Sequence, residues 1–520
     1  MEPPSDDTKK RHIAIIGGGA AGMSCAATLA NHPDRFKVTL LERADVVGGQ
    51  ATSIALDKQR HGASWMNNGV QGGSRIFKHT FNFFREQGFP PHEVQLQVAF
   101  GKGEDGFWTN VFPTKLVERY AADIRKFGYF LRLIKWTMPI LGLVPISIML
   151  RVFFFSKDFG DKMVYPLIAL FLGTGNQTPN VPSAIVERLF DDANMKLWDY
   201  DAVTLLPNLP TMYTFDHLDA FYKSWKSNLE AKGVIVRTET EVSQVVSRCN
   251  EGGVTLRITD LAWDRSTDET FDDMVLCTLA DDSLRILGKQ ASWREKMVLG
   301  GAAFFDDLTV THSDSKYFEQ HYETRFKQEL CAEPSSDQQK KQVAFAQGQG
   351  GAADGFKPMY YTFSYQRDPR LIEMSFNCSN YQHQLKQANA DSDRALEPVY
   401  QTIFLNKKLE AMWTLDSIDE NKVIKKNWWH QLGHRWQHYL RVVPGMMFLH
   451  GRQHTYFAGS WTLVNMHELA CVSGIAAAYH IGADYVKVDD FAQDFFSKYL
   501  LLSHGMVFSR QEKKRRRTRT

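Results

Sequence analysis

Three glycines, Gly17, Gly19 and Gly22, carry the first chemical signal, because they stand at G-x-G-x-x-G spacing directly after four apolar residues, Ile13 to Ile16. That spacing suits a pyrophosphate. Gly17 permits a tight turn and Gly19 lets the backbone come against phosphate. Gly22, with Ala21, Ser24, Ala26 and Ala27, lets the following helix pack close to the sheet. The helix start then offers unpaired N–H groups and a positive dipole end. A second apolar run, Val38 to Leu41, ends on Glu42, where a carboxylate accepts hydrogen bonds from a ribose diol. Strand, turn, small-residue helix, strand and acid together read as a dinucleotide-binding unit rather than a plain structural turn.

The residues after Glu42, E-R-A-D-V-V-G-G-Q-A-T followed by H-G-A-S-W-M-N, resemble the flavin amine oxidase and phytoene desaturase superfamily. The resemblance implies FAD, held non-covalently, since no cysteine lies just before Ala458, where covalent amine oxidases attach the flavin. It places Gly48 and Gly49, with Arg43 and Gln50 beside them, along the diphosphate and ribityl chain. It places Gly62, Ala63, Ser64 and Trp65 beside the isoalloxazine; His61 stands where the superfamily often has an acid and is given no role. The strand around Val242 resembles the one whose backbone meets the adenine, and F-D-D-M-V-L-C-T, residues 271–278, the one that returns under the cofactor. A second strong match is F-A-G-S, ending on Gly459 and Ser460, with the helix through His467 and Glu468 behind it. A looser likeness, at T-H-S-D (311–314) and Y-Y-T-F-S-Y (360–365), is to FAD-binding proteins associated with lipid modification.

These pieces predict an α/β fold, α+β overall. A Rossmann-like FAD-binding domain is assembled from residues 9–110, 215–300 and 440–486. An inserted domain of mixed sheet and helix, residues 111–214 and 301–439, handles substrate, and residues 487–520 form a last helix and a basic tail. Within the insert, Ser335 to Asp354 is rich in Gln, Gly and Ala and reads as a surface loop. Gln71-Gly72-Gly73-Ser74 reads as a turn whose backbone could approach a ligand.

Trp136 to Leu150 contains no charge but is interrupted by Pro139 and Pro145. At helical rise it covers about 22 Å against a hydrocarbon slab of roughly 30 Å, so a full span is disfavoured. With Val152 to Phe155 it reads either as a buried helix or as a monotopic membrane contact over 136–155. A formal net charge of +2 gives no reason to invoke nucleic acid. Six cysteines without a C-x-x-C pair indicate neither a zinc site nor a disulfide framework. Together with a polar N-terminus they read as a cytoplasmic protein, membrane-associated only if 136–155 makes it so.

Flavin chemistry asks little of side chains, so no catalytic signature stands out. His467 and Glu468 are the candidates, on the segment that meets the flavin in related proteins, with His430 a weaker one. The leading expectation is an FAD-dependent oxidoreductase dehydrogenating a lipophilic small molecule such as a lipid, isoprenoid or polyketide. The alternatives are a flavin amine oxidase, a redox-neutral isomerase of unsaturated fatty acids, and a flavin-binding protein without activity.

Overall fold

The computed structural model describes residues 10–138, 140–249, 252–349 and 355–512. Its organising element is a five-stranded sheet, in the order Ile235–Arg237, Phe36–Leu41, Arg11–Ile16, Asp273–Leu276, Thr455–Phe457, with every neighbouring pair parallel. Ile15 sits opposite both Leu40 and Val275, so three distant chain segments meet within one register. A parallel sheet is buried on both faces and therefore needs continuous apolar strands, which Ile13 to Ile16 and Met274 to Leu276 supply. Helices Ala20–Ala30, Leu218–Ala231 and His467–Ile481 pack in one apolar cluster with it. A three-stranded antiparallel sheet (240–271) and helices Ala280–Leu287 and Trp293–Leu299 form the other.

The second half is a seven-stranded sheet in the order Val423–Leu432, Phe304–His312, Tyr400–Phe404, Ile372–Asn377, Tyr360–Ser364, Val98–Phe100, Trp108–Thr109. A cap of helices between residues 115 and 191 packs against it. The two strands contributed by residues 98–109 belong to this sheet, so the first dinucleotide segment ends earlier than residue 110. Composition did not mark that boundary because Val98 to Phe100 is as apolar as the strands before it.

Two expectations are corrected. The 136–155 stretch is not one helix: helix Ala121–Thr137 ends, and after a short helical turn at Leu141–Leu143 a new helix, Ile146–Val152, starts behind Pro145. The Gln-rich insertion is partly a helix, Asp337–Ala346, because Ser336 caps it by accepting from Gln339 N–H and Ala346 is buried; residues 350–354 lie outside the described residues. The helix expected beyond residue 487 is present as Asp490–His504, capped by Asp489 and stopped by Gly505 at φ +66°. The basic tail, 513–520, also lies outside the described residues.

Candidate functional site

The glycine loop is held by geometry that excludes side chains. Gly17 has φ +105°, and a Cβ there would lie 2.9 Å from the Cys277 carbonyl oxygen; one at Gly22 would lie 1.9 Å from that of Gly17. Gly19 differs. A Cβ on it would meet nothing nearer than Gly49 Cα at 3.8 Å, so packing within the chain does not require glycine there. A ligand lying against the backbone would require it. Helix Ala20–Ala30 begins at Gly19 with no side chain capping it, which leaves its first N–H groups for an anion. Glu42 accepts from Gly18 N–H at 2.6 Å and Ala44 N–H at 2.8 Å, fixing its carboxylate at the end of its strand.

The C-terminal motif closes on the same place. Gly459, at φ +150°, donates its N–H to Ser473 Oγ at 2.8 Å, which fastens the turn to helix His467–Ile481. That helix crosses helix Ala20–Ala30 closely: a Cβ at Gly474 would fall 2.1 Å from the Ala21 carbonyl oxygen, and Ser24 Oγ donates to the Cys471 carbonyl.

One cavity of about 620 Å³ joins these pieces. Of the expected cofactor residues, Gly17, Gly19, Ala21, Glu42, Arg43, Gly49, Gln50, Val242, Gly459, Ser460 and His467 line it. Gly22 lies behind the wall as a packing residue. Ser64 and Trp65 do not line it: Ser64 is exposed, and Trp65 stacks on His217 with ring centroids 4.5 Å apart. The stretch Gly69 to Ser74 lines the cavity instead. It is positioned by a buried amide network that sequence reading missed. Gln382 Nε2 donates to Gln71 Oε1 (3.1 Å), Gln71 donates to Gln401, Gln401 Nε2 donates to Asn68 Oδ1 (2.9 Å), and Asn68 Nδ2 donates to Asn427 Oδ1 (3.0 Å). The signal was the amide-rich run N-N-G-V-Q-G-G, residues 67–73.

The two candidate catalytic residues are engaged elsewhere. Glu468 does not line the cavity; its carboxylate accepts from His79 N–H (3.0 Å), Thr80 N–H (2.8 Å) and His79 Nδ1 (2.7 Å), capping helix Lys78–Glu86. Burial alone would push this carboxyl up, but His79 and the two backbone donors outweigh it and hold it below the usual range. His467 reaches the wall, yet Nε2 is bonded to Tyr222 Oη at 2.7 Å and Nδ1 to Thr80 Oγ1 at 3.1 Å. Burial lowers its pKa to about 4 against a small opposing pull from Glu468, so the ring is neutral. His430 is a half-exposed clamp between Asp306 (2.7 Å) and Asp281 (2.8 Å).

Beyond the flavin motifs the cavity runs into an apolar lobe. Helix Tyr165–Leu172 contributes Leu170, Phe171 and Leu172, the segment around helix Ser183–Asp191 contributes Leu189, Met195 and Leu197, and the large sheet contributes Tyr360, Met374, Phe376 and Ile403. His434 lines the wall as well. It is buried, its Nδ1 is bonded to Tyr439 Oη at 2.8 Å, and its Nε2 has no partner among the described residues. Burial, then His438, lowers its pKa to about 3.

Residues 15–86 match the NAD(P)-binding Rossmann-like domain family. No curated protein matches the chain in sequence. Its fold is shared with solved structures across nearly the whole length. One is a CLA-producing fatty acid isomerase from P. acnes (14% identity, TM-score 0.58, covering 92% of this chain and 100% of that one). Another is wild-type putrescine oxidase bound to putrescine (13%, 0.57, 91% and 99%). A third is cyclohexylamine oxidase from Brevibacterium oxydans IH-35A (10%, 0.53, 94% and 100%). The chain therefore shares its fold with these proteins.

Proposed function

We propose that the chain is an FAD-dependent oxidoreductase acting on a lipophilic small molecule. The observation that carries this reading is one cavity whose first part is a glycine cradle and whose last part is apolar. Gly19, whose missing side chain the chain's own packing does not require, and the uncapped helix behind it fit a diphosphate. Glu42 would hold the ribose, and the backbone at Val242 the adenine. When bound there, FAD supplies a two-electron acceptor for hydride from substrate. The chain's own contribution is to orient the substrate and exclude water. Neutral His434 offers a single unmatched nitrogen to a polar group of an otherwise apolar ligand. His467 and Glu468 are read as positioning residues that lock helices at the cofactor end.

The acids lining the cavity, Glu42, Glu241 and Asp282, sit at the nucleotide end, and none lines the apolar lobe among the described residues. A protonated amine would enter without a counter-charge, which disfavours an amine substrate. A redox-neutral variant, in which the hydride taken from one carbon returns to another, is favoured by the fold shared with a fatty acid isomerase.

Purified protein is expected to be yellow and to release FAD on acid precipitation. Anaerobic mixing with unsaturated fatty acids is then expected to bleach the bound flavin, or to move a double bond without net reduction. A colourless protein that takes up no FAD would end the reading; bleaching by simple amines alone would replace its substrate half. His434→Leu should raise KM about tenfold with kcat and flavin content retained, the size expected for one lost hydrogen bond; an unchanged KM would remove His434 from the account.

A further inference from the structure

The helical cap carries an exposed aromatic surface that the cavity chemistry does not use. On helix Ala121–Thr137, Tyr129, Arg132 and Trp136 follow one another at three and four residues, which places them on one face. Tyr129 is 68% exposed, Trp136 85% and Ile140, just beyond, 78%. Phe154 is 86% exposed and held at φ +54°, a conformation that costs a bulky residue energy and is kept only where surroundings enforce it. Lys126, one turn before Tyr129, donates Nζ to the Phe154 carbonyl at 2.7 Å, so loop and helix present a single surface. Ile148 and Val152, four apart on the intervening helix, are exposed too.

Cations are threaded through this patch. Arg125, Arg132, Lys135, Arg151 and Lys157 are exposed, and the Arg132 guanidinium lies 4.8 Å from the Tyr129 ring centroid. Neighbouring acids are engaged: Asp123 accepts from Ser156 (2.6 Å), Asp158 pairs with Lys162 (3.2 Å) and Asp191 with Lys135 (2.5 Å). Aromatic tips set among long cationic side chains suit the boundary between lipid headgroups and acyl chains, whereas the core of a protein interface is depleted of charge. No helix among the described residues is long and apolar enough to cross a membrane.

We propose that this surface seats the protein on an anionic lipid bilayer, with Trp136 and Phe154 entering the interface and the basic side chains meeting the headgroups. The seat rests on the surface alone.

Full-length protein sedimented with phosphatidylcholine vesicles containing phosphatidylserine tests this. Wild type should pellet with these vesicles, far less with pure phosphatidylcholine, and less again as salt rises. Trp136→Ser with Phe154→Ser should weaken binding at least tenfold, and Lys126→Glu with Arg132→Glu should do the same on the charged vesicles. Flavin absorbance, or thermal stability if no flavin is present, shows that each variant is folded. Wild type remaining in the supernatant with both vesicles would overturn the proposal, as would a double serine variant that pellets undiminished. Loss of a solution dimer in that variant, without vesicle binding by wild type, would assign the patch to self-association instead. None of these outcomes depends on the cofactor.

Discussion

The two ends of the cavity are built on opposite principles. At the nucleotide end, backbone meets backbone: Gly17, Gly22 and Gly474 leave no room for a Cβ, and Gly17, Gly48, Gly49 and Gly459 take up positive φ. At the apolar end, large side chains from the helical cap and the large sheet, among them Phe171, Tyr360 and Phe376, enclose the space. The first end is specified by what is forbidden and the second by bulk. A single methyl group should therefore destroy the first, while the second should tolerate exchange among apolar residues of similar volume.

Gly22→Val gives the largest expected effect. Its side chain would begin 1.9 Å from the Gly17 carbonyl oxygen, so turn and helix must separate. Loss of several kcal/mol and of all bound flavin is expected, since overpacking of a tight core costs about 1–3 kcal/mol before backbone displacement is counted. Thermal unfolding and flavin absorbance per polypeptide measure both.

Acid should affect the whole molecule next. Burial lowers the pKa of His450 to about 3 and of His438, His467 and His312 to about 4. A group whose folded pKa lies below its unfolded value of about 6.5 binds fewer protons folded than unfolded between the two. Stability therefore falls as pH drops from about 6.5 toward 4, by on the order of 1–2 kcal/mol per group by pH 5. These histidines lie in both halves, so one steep decline in melting temperature between pH 7 and 5 is expected. A flat profile would show that the buried rings are protonated or solvated in the native state.

Gly19→Ala sharpens the comparison, because on the proposed reading the steric prohibition at this position comes from the ligand and not from the chain. Gly19 sits at φ −74°, which alanine accepts, and its Cβ has free space within the chain. The melting temperature of the flavin-free protein should stay within a degree or two, while flavin affinity drops at least tenfold, about 1.4 kcal/mol or more. If apo stability and flavin affinity fell together, Gly19 would be a packing residue like Gly22.

The same contrast explains what the sequence made legible. Where identity is forced, residue and role travel together: the parallel sheet and the convergence of Gly19, Gly49 and Gly459 on one cavity could be read in advance. Where bulk suffices, many residues serve, and nothing in Leu170, Met195 or Met374 taken singly marks a substrate wall. Chemistry-bearing residues misled for a related reason. Glu468 has the type and position of a catalytic acid, but its partners, His79 and Thr80, lie far away in sequence, so its use as a helix cap emerged only in three dimensions.

Ser64 and Trp65 mark where motif transfer fails, and they give the smallest effect. The chain turns at Gly62, φ +80°, and strand Trp65–Gly69 carries Trp65 onto His217 and Asn67 onto the backbone at Phe215 and Asp216. The next stretch, Gly69 to Ser74, takes the place beside the cavity. Trp65→Leu should therefore cost about 0.5–1.5 kcal/mol through the lost ring stacking while changing flavin affinity less than twofold. Gly72→Ala, whose Cβ would lie 2.2 Å from the Tyr213 carbonyl oxygen at the cavity wall, should weaken flavin binding far more. A reversal of that order, read by flavin titration of the two variants, would return the isoalloxazine to Trp65 and shift the boundary between the two ends of the cavity.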